Sequence, residues 1–161
     1  MQKTLSVIYA STSGHTEHVV DTLIAALEAK HKDIRIVKQR AERTKPEDLL
    51  KSDVTLLACG SWNTNNVEGQ LSPYMFELLM KTAAGLDLKG QPCAAIGLGD
   101  ERYFFTAKAA QHLADYLKNH NGKVLLPTLK IVNEPYGQED KIRTWADELF
   151  TQIDKLPAST H

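Results

Sequence analysis

Two stretches, Val54-Thr55-Leu56-Leu57-Ala58-Cys59 and Cys93-Ala94-Ala95-Ile96, are almost wholly apolar. Strands of that composition are covered on both faces, which happens in parallel sheets whose crossover helices lie above and below. Five strand candidates alternate with helical patterns: Leu5 to Ala10, Ile34 to Val37, Val54 to Cys59, Cys93 to Leu98, and Val124 to Leu126 continuing towards Ile131. This alternation predicts a three-layer α/β fold built on a five-stranded parallel sheet. Ile34-Arg35-Ile36-Val37-Lys38 alternates apolar with charged residues, as suits an edge strand protected from aggregation.

The intervening helices carry apolar stripes and end signals. The first spans about Gly14 to Lys30, with Val20, Leu23, Ile24 and Leu27 at helical spacing. Ser72-Pro73 is an N-cap and N1 pair opening a helix towards Met80, with Met75, Phe76, Leu79 and Met80 as core candidates. A third helix, Ala107 to Asn121, buries Ala110, Leu113 and Leu117 and ends at Gly122 as its C′ glycine. Gln138 to Lys155 has acidic residues in its first turn and the stripe Ile142, Trp145, Leu149 and Ile153. Between Thr44 and Lys51 only a short helix fits.

At 161 residues the chain reads as one domain over 1–156 with a frayed tail at 157–161. A net charge of −1 and 42% hydrophobic residues favour neither disorder nor a nucleic-acid or membrane surface. The charge is uneven: Glu28 to Lys51 holds eight basic and five acidic residues. Cys59 and Cys93, both within apolar runs and without CxxC spacing, read as reduced core thiols. No secretory or membrane-spanning run is legible, so the expectation is a cytoplasmic product, monomeric by default.

Chemistry enters where the first strand meets the first helix. Ser11, Thr12, Ser13, Gly14, His15 and Thr16 form a hydroxyl-rich turn at a helix start. Such a start leaves backbone N–H groups without intrahelical partners and carries partial positive charge, so an anion there satisfies both. No Lys or Arg lies between Leu5 and Lys30, leaving His15 as the only possible side-chain cation within the turn itself. Neutral donors suit a buried phosphate monoester. A P-loop would need lysine after the final glycine, where His15 stands.

In an open parallel sheet, ligands sit beyond the carboxyl ends of the strands. Two more segments converge there: Gly60-Ser61-Trp62-Asn63-Thr64-Asn65 after the third strand and Gly97-Leu98-Gly99-Asp100-Glu101-Arg102-Tyr103 after the fourth. Each carries one large aromatic among small or polar residues. Trp62 and Tyr103 at one end of one sheet call for a flat partner, and a phosphate at one end with a conjugated ring at the other describes flavin mononucleotide, FMN.

These three motifs, Ser-Thr-Ser-Gly-His-Thr-Glu, Gly-Ser-Trp and Gly-Leu-Gly-Asp-x-x-Tyr, resemble the cofactor loops of flavodoxins, and the likeness runs in order through nearly the whole chain. No twenty-residue insertion interrupts the last strand, so it resembles the short-chain members. The resemblance implies a flavodoxin-like strand order, 2-1-3-4-5, and an FMN-dependent carrier of low-potential single electrons. It implies that Ser11 to Thr16 hold the ribityl phosphate and that Trp62 and Tyr103 sandwich the isoalloxazine. Leu98, Gly99 and Asp100 would border its pyrimidine edge. Gly60, Ser61, Trp62 and Asn63 would supply the turn whose peptide carbonyl meets the ring nitrogen on reduction. Partners would be redox proteins: a reductase as donor and an acceptor enzyme.

Aromatic stacking and few cations disfavour an anionic reduced ring, lowering the second one-electron potential. The family often has glycine at the position of Asn63, and Asn adopts positive φ less freely. Asn63→Gly should therefore widen the gap between the two one-electron potentials, each shifting by about 60 mV in opposite directions per tenfold stabilisation of the half-reduced flavin; an unchanged gap in a redox titration contradicts this.

Rival α/β readings fit poorly. A phosphoacceptor receiver needs an acidic cluster after the first strand and an Asp after the third, where Ala10-Ser11 and Cys59-Gly60 stand. A low-molecular-weight phosphatase needs Cys and Arg in the first loop, and neither is present. A flavin-dependent reductase, or a detached flavin domain of one, is the closer alternative. Gly97-x-Gly99 lacks the remaining glycine of a dinucleotide fingerprint, so electrons are expected from another protein.

Overall fold

A computed structural model describes residues 3–11, 14–31, 33–64, 67–99 and 108–157, with only the backbone described at 62–64 and 67–70. Strand β1 (Lys3–Ala10) leads into helix α1 (His15–Lys30), then β2 (Ile34–Arg40) and two 3₁₀ turns, Ala41–Arg43 and Pro46–Leu50. Next come β3 (Val54–Thr64), β4 (Val67–Leu71) and α2 (Pro73–Glu77), which continues as a π turn, Leu78–Thr82. The chain closes with β5 (Pro92–Gly99), α3 (Lys108–Asn119), β6 (Lys123–Val124), β7 (Leu129–Val132) and α4 (Glu139–Asp154).

The parallel sheet runs β2-β1-β3-β5, with β6 and β7 both pairing with the far side of β5. With β6 and β7 taken as one interrupted strand, this is the expected order 2-1-3-4-5. Pro127 lies in the break between them, and its carbonyl accepts the Trp145 indole N–H at 3.0 Å. Alternate residues of each central strand feed two cores. Leu5, Val7, Leu56, Ala58, Ala94 and Ile96 face α1 and α4. Ile8, Leu57, Cys59, Cys93 and Ala95 face α2 and α3. Both thiols are buried and free, and burial pushes each up to about 12, so they are inert core groups.

Three local expectations are corrected. β4 is an added antiparallel strand: β3 does not stop at Cys59 but runs on as a ribbon, pairing Ser61 with Leu71 and Trp62 with Gln70. Met80 is exposed whereas Leu78 is buried, because the π turn inserts extra rotation and breaks the α-helical stripe after Glu77. The C′ residue of α3 is Asn121, at φ 67°, and not Gly122. Gly122 N–H bonds the Leu117 carbonyl at 2.7 Å and Asn121 N–H the Lys118 carbonyl at 3.3 Å, a Schellman closure with Asn in the left-handed place. Gly122 is needed for clearance instead: a Cβ there would lie 2.8 Å from the Leu117 carbonyl oxygen and 2.9 Å from Cys93 Sγ.

Gly97 lies inside β5, paired with Cys59 and Lys130, within the expected strand Cys93 to Leu98. A Cβ there would fall 2.3 Å from the backbone nitrogen of Ala110, so its bare face is the seat of α3. The expected tail beyond Pro157 lies outside the described residues.

Candidate functional site

β1 ends at Ala10, and the chain must turn sharply from strand to helix. Gly14 makes the turn at φ 87°, ψ −9°, a conformation that costs other residues about 1–2 kcal/mol. Its N–H donates to Ser11 Oγ at 3.1 Å, which leaves the Ser11 hydroxyl proton free to donate elsewhere. The first intrahelical bond joins His18 N–H to the Gly14 carbonyl at 3.0 Å, so the N–H groups of His15, Thr16 and Glu17 precede the ladder. A Cβ on Gly14 would meet none of the described atoms within 4 Å, and one on Gly60 would meet only Thr16 Oγ1, at 3.8 Å. Two glycines thus keep the space in front of the α1 N-terminus open. Neutral donors around an open space fit a phosphate monoester.

Of the site residues expected from sequence, the structure brings Ser11, Gly14, His15, Thr16, Gly60, Ser61, Leu98 and Gly99 to the carboxyl end of the sheet. Gly60 pairs with Leu98 across β3 and β5. Leu98 also pairs with Ile131 of β7, and the Gly99 carbonyl accepts Asn133 N–H at 2.7 Å. Ser61 has a structural task as well: its Oγ accepts Ala109 N–H at 2.9 Å and so anchors the start of α3. Trp62 and Asn63 lie on the β3–β4 ribbon, where the register shifts between Trp62 and Thr64. Thr12, Ser13, Asp100 and Tyr103 lie outside the described residues, as do the side chains of Trp62 and Asn63.

Several residues near the cradle escaped the sequence reading. The segment before Lys30 lacks cations, yet β2 delivers two. Lys38 Nζ lies 2.7 Å from Glu17 Oε2 and 2.8 Å from Asp21 Oδ1, and Arg40 Nη2 lies 3.4 Å from Glu17 Oε1. The signal was present in period two: Ile36 packs against the α1-side core, so Lys38 and Arg40 leave β2 on that same face. Tyr136, on the segment before α4, meets His15 edge-on at 5.6 Å between ring centroids and His18 at 4.7 Å. His18 Nε2 in turn lies 3.0 Å from Glu139 Oε2, which holds the Glu139 carboxyl below its ordinary range. No sequence periodicity marks that cluster, since it joins the start of α1 to Tyr136 and the start of α4, far apart in the chain.

Among the described residues, no three His, Cys, Asp or Glu side chains are grouped to hold a metal ion, and no helix is long and apolar enough to cross a membrane. The flavodoxin family model matches residues 7–145, from the middle of β1 into α4. The chain belongs to the flavodoxin family. It is 27% identical over 154 residues to a flavodoxin of Maridesulfovibrio salexigens, covering 95% of this chain and all of that one. It is 29% identical over 136 residues to a probable flavodoxin 2 of Bacillus subtilis, covering 84% and 85% respectively. The crystal structure of oxidised flavodoxin 2 from Bacillus cereus superposes with a TM-score of 0.81 at 26% identity, covering 95% of this chain and 99% of that one. Flavodoxins are flavin-carrying electron carriers, and electron transfer between protein partners is the function of this flavodoxin.

Proposed function

We propose that the flavin is FMN, with its phosphate in the Ser11–Thr16 cradle. The observation that carries this reading is the α1 N-terminus, whose first N–H groups precede the intrahelical ladder beside a space kept open by Gly14 and Gly60. FMN bound there supplies reversible one-electron chemistry at the end of the sheet. Gly14, His15 and Thr16 would hold the phosphate, aided by the hydroxyls of Ser11, Thr12 and Ser13. Trp62 and Tyr103 would cover the two ring faces and exclude water. Leu98, Gly99 and Asp100 would border the pyrimidine edge, and Gly60, Ser61 and Asn63 the edge that changes protonation.

Ser61 supports this in two ways, since it belongs to the expected ring-side segment and also pins the start of α3, just beyond the Gly99–Lys108 connection. A flavin edge left towards solvent would exchange electrons with a reductase on one side and an acceptor enzyme on the other, the chain itself acting as carrier. With a net charge of −1, its encounters should depend less on salt than those of strongly acidic carriers. The test is direct. The purified protein should be yellow, release one FMN per chain, and accept electrons from a reductase far faster than from NADPH alone. A colourless protein that does not take up FMN overturns the reading; rapid stoichiometric reduction by NADPH alone favours a reductase.

A further inference from the structure

Glu17 occupies the first turn of α1, the same helix end whose N–H groups face the cradle. A carboxylate there normally favours the helix, but it competes with a phosphate dianion for the same positive end and repels it. The structure surrounds this carboxylate with donors. Tyr9 hydroxyl reaches Glu17 Oε2 at 3.1 Å, Lys38 the same oxygen at 2.7 Å, and Arg40 the other oxygen at 3.4 Å. Both cations lie over the Tyr9 ring, at 5.2 and 5.3 Å from its centroid. Asp21 shares Lys38, and Glu42 lies 3.9 Å from Arg40. The parallel register that sets Lys38 opposite Val7 and Arg40 opposite Tyr9 aligns the group with the last turn of chain before the cradle.

We propose that Lys38, with Arg40, is a positioning residue for phosphate recognition: it quenches the Glu17 carboxylate so that the α1 N-terminus stays attractive to the FMN phosphate. This rests on the FMN reading above. The Lys38 hydrogen bond holds Glu17 below the usual carboxylate range, and Lys38 is itself raised, first by Asp21 and then by Glu17. Glu17 and Lys38 are therefore both charged at neutral pH. Removing Lys38 leaves Glu17 with the more distant Arg40, and its less fully offset field then acts on any dianion at the helix end. Riboflavin, which lacks the phosphate, feels none of it.

The experiment is a fluorescence titration of the apoprotein with FMN and with riboflavin, at low and high salt, for the unmutated chain, Lys38→Met, Glu17→Gln and the double variant. At low salt the FMN Kd of Lys38→Met should rise roughly five- to tenfold, with riboflavin unchanged and the effect shrinking as salt rises. The double variant should return to within about twofold of the unmutated chain. An unchanged FMN Kd in Lys38→Met, an equal loss for riboflavin, or no recovery in the double variant overturns the proposal. Circular dichroism checks each apoprotein, and Lys38→Gln carries the same test where Lys38→Met does not fold. An unmutated chain that binds neither flavin overturns the FMN reading and this proposal together, whereas tight FMN binding with a flat cycle overturns only the latter.

Discussion

Gly97→Ala should lower the unfolding free energy by about 3 kcal/mol or more, an unusually large effect for adding one methyl group. The added Cβ would fall 2.3 Å from the Ala110 nitrogen and 2.4 Å from its Cα, both backbone atoms of α3 that no rotamer change can move. Relief requires α3 to lift from β5. That helix contributes Ala109, Ala110, Leu113, Tyr116 and Leu117 to the core on its face of the sheet. Lifting it also strains the Ala109 N–H bond to Ser61, so flavin affinity should fall with stability. Urea unfolding followed by far-UV circular dichroism checks the first part. A midpoint within the error of the unmutated chain would show that α3 does not seat on the bare strand.

Gly14→Val should raise the Kd for FMN about 100-fold or more while the apoprotein loses only about 1–2 kcal/mol. The two effects separate because of what surrounds the position. Among the described residues a Cβ there meets nothing within 4 Å, so the main cost to the apoprotein is holding a β-branched residue at φ 87°. The branched side chain instead occupies the open space before the α1 N-terminus, which is where the phosphate would sit. Calorimetric titration of the apoprotein with FMN, alongside thermal unfolding, measures both. A stability loss without an affinity loss would remove Gly14 from the binding site.

The sequence announced what repeats and concealed what happens once. The sheet was legible because Val54–Cys59 and Cys93–Ile96 advertise burial on both faces, and the crossover helices because their stripes recur every turn. The turn from β1 into α1 was legible because a glycine among hydroxyls marks a strand–helix junction. β4 was not, since Val67-Glu68-Gly69-Gln70-Leu71 is short, mixed in character and paired only with its immediate neighbour. Gly97 was legible as part of a strand but not as the seat of α3, because a glycine chosen for helix clearance and one chosen for a turn look alike in one dimension. Asn121 and Gly122 exchanged roles for a related reason: Asn enters left-handed φ, and the pair of residues, read without the packing of Cys93 and Leu88, pointed to the glycine. Lys38 and Arg40 were hidden from the cradle by sequence distance, which parallel pairing of β1 with β2 abolishes.

The closure of α3 also bears on how the chain ages. Asn121-Gly122 is its one Asn-Gly dipeptide, the pair most prone to deamidate, because an unhindered glycine amide nitrogen attacks the preceding side-chain carbonyl carbon. Here that nitrogen is engaged with Leu117, while the Asn121 amide donates to Asp87 at 3.1 Å. Nucleophile and electrophile are each tied elsewhere, so the fold shields its most perishable peptide from succinimide formation for as long as the helix end stays closed.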